Sequence, residues 1–121
     1  GIEALRKDPV GWAKFMDDPI SFLGGDPVSF KRGVLDAVGG LFDDRPERKT
    51  AVFAHGLPIN VVLSHALGLK RVSHFLPHYC SLTRVSGPSL DDISIESINE
   101  TAHLVNSEQT PAARLEAGAP R

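Results

Sequence analysis

Thr50-Ala51-Val52-Phe53-Ala54-His55-Gly56-Leu57-Pro58, continuing as Ile59-Asn60-Val61-Val62-Leu63-Ser64-His65-Ala66-Leu67-Gly68-Leu69, is the stretch on which the fold turns. Its first five residues are an apolar run without polar alternation, which suits a strand buried on both faces, as in a parallel sheet. His55-Gly56 ends the run. Leu57-Pro58 opens a helix to Leu67, with Gly68 as its stop and Ile59, Val62, Leu63 and Ala66 as its buried face. A strand that delivers a histidine to its carboxyl end, followed at once by a helix, sits where open α/β sheets bind ligands. The helix start offers free N–H groups and the positive end of its dipole, a seat for an anion. Pro58 has no N–H, which leaves Gly56, Leu57 and Ile59 as donors. A protonated His55 beside them would add a charge-assisted donor to a phosphoryl oxygen, the arrangement phosphoryl-transfer chemistry requires. A His-Gly pair after a strand also occurs away from any ligand, so by itself the pair leaves both readings open.

Upstream, Asp8-Pro9 and Asp26-Pro27 each read as a helix cap followed by proline at the first helical position. Trp12, Phe15 and Met16 fall at helical spacing as core. Asp18 to Gly25 reads as a loop. Phe30, Val34, Val38 and Leu41, with Leu35 and Phe42, make one apolar stripe. The charged residues 43–49 are a solvated connection. Downstream, Tyr79 to Val85 alternates as a strand, Ser86-Gly87-Pro88 turns the chain, and Ile93-Ser94-Ile95 begins an antiparallel partner. Asn99 to Leu104 is an irregular end. From Asn106 the composition shifts to Ala, Pro, Glu, Gln and Arg, and residues 107–121 are expected to be a disordered tail.

Composition narrows the function. The 121 residues are 41% hydrophobic and 23% charged, a globular balance sufficient for one core. Thirteen basic against 15 acidic residues give a formal charge of −2, without the excess that nucleic acid or an anionic membrane surface would need. No apolar stretch is long enough to span a membrane, no secretory signal stands at the start, and a cytoplasmic location is expected. The single cysteine, Cys80, rules out an internal disulfide and reads as a small core residue. No metal or cofactor is expected. His74 and His78 are four apart but straddle Pro77 and fit loop residues better than ligands. His65 reads as a surface or satisfied core residue, and His103 as a hydrogen-bonding residue at the sheet end. Asp17-Asp18, Asp43-Asp44 and Asp91-Asp92 fit solvated turns. An α/β-hydrolase would need a Gly-x-Ser-x-Gly elbow, and Gly87-Pro88-Ser89-Leu90-Asp91 lacks the last glycine.

Four further features form an ordered series with His55-Gly56. They are Leu67-Gly68-Leu69, Leu76-Pro77, Ser81-Leu82-Thr83-Arg84-Val85 and Ile98-Asn99-Glu100-Thr101-Ala102-His103-Leu104. Ahead of them stand Glu3-Ala4-Leu5-Arg6-Lys7-Asp8-Pro9 with Trp12 and Phe15, then Gly24-Gly25-Asp26-Pro27 and Arg32. In this order and spacing the chain resembles the C-terminal half of the histidine phosphatase superfamily, which includes the cofactor-dependent phosphoglycerate mutases. The resemblance implies an α/β fold, a three-layer sandwich around a mixed, mainly parallel sheet, here without the family's first strand. Residues 1–106 would then be the C-terminal part of such a domain. It implies that His55 is the second active-site histidine, binding the phosphoryl group while another histidine attacks and forms a phosphohistidine. Gly56 and Leu57 would bind phosphate through backbone amides.

That first histidine belongs to an Arg-His-Gly motif, which does not occur in this sequence. The family's acid also belongs upstream of Gly1, so Glu3 reads as a solvated helix residue. Leu57 stands for a usually small residue, and Asp26-Pro27 for Glu-Ser, which bears on the substrate pocket. Three explanations compete: a piece of a longer chain, an N-terminal half supplied by another chain, or a gene product that has lost catalysis. The expected partners are a phosphorylated small molecule and either a homo-oligomer or a complementary N-terminal half. The chain alone is expected to be neither active nor a stable monomer, because removing the Arg-His-Gly strand would expose a central sheet edge.

Overall fold

The computed structural model describes residues 2–42, 45 and 47–105. The expected tail lies outside the described residues, as do three positions of the charged connection. Among the described residues, five helices precede a two-stranded antiparallel sheet: α1 (Ile2–Arg6), α2 (Pro9–Asp17), α3 (Pro19–Phe22), α4 (Pro27–Gly39), α5 (Gly56–Leu67), β1 (Leu82–Ser89) and β2 (Asp92–Glu100). A single 3₁₀ turn, Ala102–Leu104, follows. The described residues divide into two compact units, those of 2–76 with 86–94, and those of 77–85 with 95–105.

In the first unit the caps do much of the local work. Asp26 accepts from the Ser29 amide at 2.9 Å at the start of α4. Asp18, expected in a loop, instead caps α3, accepting from the Ser21 amide at 3.2 Å and hydroxyl at 2.6 Å. Asp8 stands at the N-cap of α2 in extended conformation, without a side-chain cap bond. Trp12 stacks on Phe15 with ring centroids 5.5 Å apart, and the Arg6 guanidinium lies 5.3 Å from the Trp12 ring. These rings are half-buried and stand outside the buried cluster, contrary to the core role expected of them.

The core joins Ile20 of α3, Val61 of α5 and Val72, with Phe30, Val34, Leu35 and Leu57 packed against them. Leu63 is fully enclosed. α4 packs against α5, and Phe30, Val34 and Leu35 of the expected stripe lie on the core, whereas Leu41 and Phe42 fall beyond the end of the helix and Leu41 is exposed. At the end of α5, Gly68 adopts the left-handed conformation at φ 68°. Its amide donates to His65 O at 3.3 Å and that of Leu69 to Ser64 O at 2.9 Å, a Schellman closure that satisfies two terminal carbonyls.

Residues 50–54 depart from expectation. They form no strand, Val52 is 56% exposed and Phe53 is 97% exposed. A parallel strand exists only through neighbours that take up its backbone N–H and C=O groups. Among the described residues the strands are β1 and β2, which pair with each other, so the apolar run has no ladder to join. Helices with a small antiparallel sheet are what the described residues contain.

The hairpin also turns later than expected. The turn is Leu90-Asp91, and Gly87 and Pro88 lie inside β1. Gly87 has φ 152°, which lets β1 pass close to Asp92. Pro88 is tolerated because each strand of a two-stranded sheet has a free edge.

In the second unit, the Asn-Glu-Thr-Ala-His phrase works as a clasp. Asn99, in the left-handed region at φ 57°, accepts from the His78 amide at 2.8 Å, and its own amide donates to Thr83 Oγ1 at 3.1 Å. Arg84 Nε donates to Glu100 at 2.8 Å and Ser97 Oγ donates to the same carboxylate. His103 Nε2 bonds the Cys80 carbonyl at 2.7 Å, the kind of contact expected of it. Cys80 itself is exposed, in a turn at φ 61°, and so is not the core residue expected. The strand begins only at Leu82, leaving Tyr79-Cys80 outside the alternation.

The caps carry a pH signature. Hydrogen bonds from Ser29 hold the Asp26 carboxyl below its ordinary value of 3.8, and those from Ser21 do the same for Asp18. A carboxyl depressed by folding stabilises above its unfolded pKa, and that contribution is lost as pH falls through the lower folded value. Asp26→Asn is therefore expected to flatten the acid limb of a plot of melting temperature against pH between about 5 and 2. An unchanged slope in that window would contradict the assignment.

Candidate functional site

The sequence forces a junction at residue 55. Pro58 fixes φ for the first turn of α5, and His55 stands as its N-cap in extended conformation, with φ −89° and ψ 173°. The imidazole makes no cap hydrogen bond and is exposed. Ile59 is not a free donor, contrary to expectation, because its amide donates to His55 O at 3.3 Å and begins the helical ladder. Gly56 and Leu57 remain. Among the described residues their amides have no acceptor, as the start of a helix dictates. The structure thus brings His55, Gly56 and Leu57 together at the positive end of a 12-residue helix. The arrangement offers two amide donors and an imidazole to an anion.

What holds this junction in place was not legible in the expected apolar face. The buried residues of α5 are Asn60, Val61, Leu63 and Ser64, while Ile59, Val62 and Ala66 are half-buried. Asn60 Nδ2 donates to Gly56 O at 3.0 Å and to Phe75 O at 2.8 Å, and Asn60 Oδ1 accepts from the Phe75 amide at 3.0 Å. Ser64 Oγ donates to Arg71 O at 2.8 Å, and Ser73 Oγ to Met16 O. Side chains of α5 therefore take up the Arg71 carbonyl and both backbone groups of Phe75, while Ser73 ties the same segment to the Met16 carbonyl. The signal was available: two polar residues four apart, hence on one face, in an otherwise apolar helix.

The remaining candidates are dispersed. His65 Nε2 lies 2.8 Å from Asp91 Oδ1, joining the end of α5 to the hairpin turn, so Asp91 is not a merely solvated turn residue. His74 is exposed, with its ring 6.5 Å from that of Phe75. No group of three or more His, Cys, Asp or Glu that could hold a metal occurs among the described residues. Ser89 sits in β1, not on an elbow. A cleft of about 210 Å³ is lined by Lys31, Lys70 and Arg71 with Asp17 and Asp18, and includes none of the residues at the α5 start. No helix among the described residues is long and apolar enough to cross a membrane.

Comparison with curated proteins and with solved structures finds no match to the chain. A family model does match, over residues 2–101, from α1 past the end of β2 and through the His55 junction. The chain belongs to the histidine phosphatase superfamily, branch 1.

Proposed function

We propose that this chain supplies the phosphoryl-binding part of a histidine-phosphatase-type site, acting on a phosphorylated small molecule in the cytoplasm. His55 donates to a phosphoryl oxygen, and the Gly56 and Leu57 amides hold a second. The observation that carries this is the N-cap position of His55, unbonded beside two free amides, in a chain of this superfamily. Phosphoryl transfer needs little covalent chemistry from such groups. It needs donors already aimed at the oxygens where charge gathers.

The nucleophile of the reaction, in this proposal, is the histidine of an Arg-His-Gly motif, which the 121 residues do not contain. It would come from an upstream part of a longer chain or from a complementary N-terminal half on a different chain. Residues 50–54 would then become a strand of a mainly parallel sheet in a three-layer domain, which supplies the ladder their composition asks for. A second reading is a phosphate-binding regulatory module without catalysis. The gene sequence upstream of Gly1 separates the two, since Arg-His-Gly there decides for the enzyme.

On the 121-residue chain, titration with inorganic phosphate is expected to shift the ¹⁵N–¹H signals of Gly56 and Leu57. His55→Ala should weaken that binding about tenfold, the worth of one charge-assisted hydrogen bond. The chain alone should not hydrolyse an aryl phosphate. Hydrolysis that disappears in His55→Ala would overturn the division of labour, and shifts unaffected by that substitution would overturn the role of His55.

A further inference from the structure

The junction at His55 has few internal restraints. Its side chain makes no cap bond, Pro58 contributes no N–H, and the first ladder bond, from Ile59 to His55 O, is a long one at 3.3 Å. One buried side chain reaches this turn from within the same helix. Asn60 is 3% exposed, and both protons of its amide are committed, one to the Gly56 carbonyl and one to the Phe75 carbonyl. Its oxygen takes the Phe75 N–H. The Phe75 backbone is in turn part of a segment anchored by Val72 in the core, by Ser64 at Arg71 and by Ser73 at Met16.

From this network we infer that Asn60 is a positioning residue, fixing through the Gly56 carbonyl the direction of the His55 side chain and of the two free amides. It does not touch the bound anion. The inference rests on the anion-site reading of that junction. Its chemistry is specific to a planar amide, because the side chain must donate twice and accept once in one plane. Ser64 provides the internal control. It is equally buried and clamps the same segment, but at Arg71, away from the Gly56 carbonyl.

The test compares Asn60→Ala with Ser64→Ala in the full chain, by two readouts. One is phosphate affinity from the Gly56 and Leu57 signals, the other hydrogen exchange of the Ile59 amide. Both variants lose a buried hydrogen bond and should lose stability. Only Asn60→Ala should weaken phosphate binding and speed Ile59 exchange, each by about tenfold, because geometry at the site is what it loses. Equal effects of the two variants on both readouts would make Asn60 a structural clamp only and overturn the inference. If the unsubstituted chain shows no phosphate-dependent shift, the anion-site reading fails, and Ile59 exchange alone decides whether Asn60 fixes the turn. Should Asn60→Ala fail to fold, Asn60→Gln, which keeps the amide but displaces it by one methylene, takes its place with the same expected losses.

Discussion

Leu63→Ala is expected to lower the stability of the chain by about 2–5 kcal/mol, seen as a fall in the urea midpoint with little change in slope. Leu63 is the most enclosed apolar side chain among the described residues, at 0% exposure in the middle of α5. Truncation removes its transfer free energy and leaves a cavity that its surroundings close only in part. The loss is large in relative terms, because among the described residues the buried hydrophobic core is small, Ile20, Val61, Leu63 and Val72, with Pro19 beside Ile20 in sequence also enclosed. A small domain has little margin to absorb it. Phe53→Ala provides the contrast. With the ring 97% exposed, it should change the midpoint by no more than about 0.5 kcal/mol. Equal losses from the two substitutions would contradict the burial assigned to these residues.

Gly87→Ala is expected to cost about 3 kcal/mol or more, the sum of a strained φ and an overpacked contact. A Cβ at this position would lie 2.2 Å from the Asp92 carbonyl oxygen and 2.9 Å from Ile93 Cα. Both are backbone atoms of the paired strand, so relief requires the strands to part. The φ of 152° adds strain that an L-residue cannot avoid. The signature should be local: faster amide exchange along β1 and β2, and loss of the His65–Asp91 contact at the hairpin turn. Unchanged exchange in the hairpin would show that the two backbones do not approach as described.

These cases indicate how much the sequence could tell. Features set by adjacent residues were legible: the Asp26-Pro27 start of α4, the Gly68 stop of α5 and the histidine at a helix start. Such signals need only one turn of chain to operate. What failed depended on distant partners. The run 50–54 has strand composition, but composition cannot provide the neighbour that makes a strand. Gly87-Pro88 has turn composition, yet the close passage of Asp92 uses the glycine inside a strand instead. The His65–Asp91 pair spans 26 residues, and no local pattern announces it. Asn60 and Ser64 lay between these extremes. Their spacing was visible, but the backbone groups they hold belong to a segment without regular structure.

The unbonded ring at the start of α5 has a consequence for how stability and chemistry divide. A helix start normally recruits Ser, Thr, Asp or Asn, whose short oxygen folds back on the helix and adds about 1 kcal/mol. Histidine at residue 55 makes no such bond, so α5 begins without that reinforcement. Replacing it with asparagine would tighten the helix and, in the same act, fill the space an anion would enter. On the proposed anion-binding role, the most stable version of this junction would not be the one that binds best.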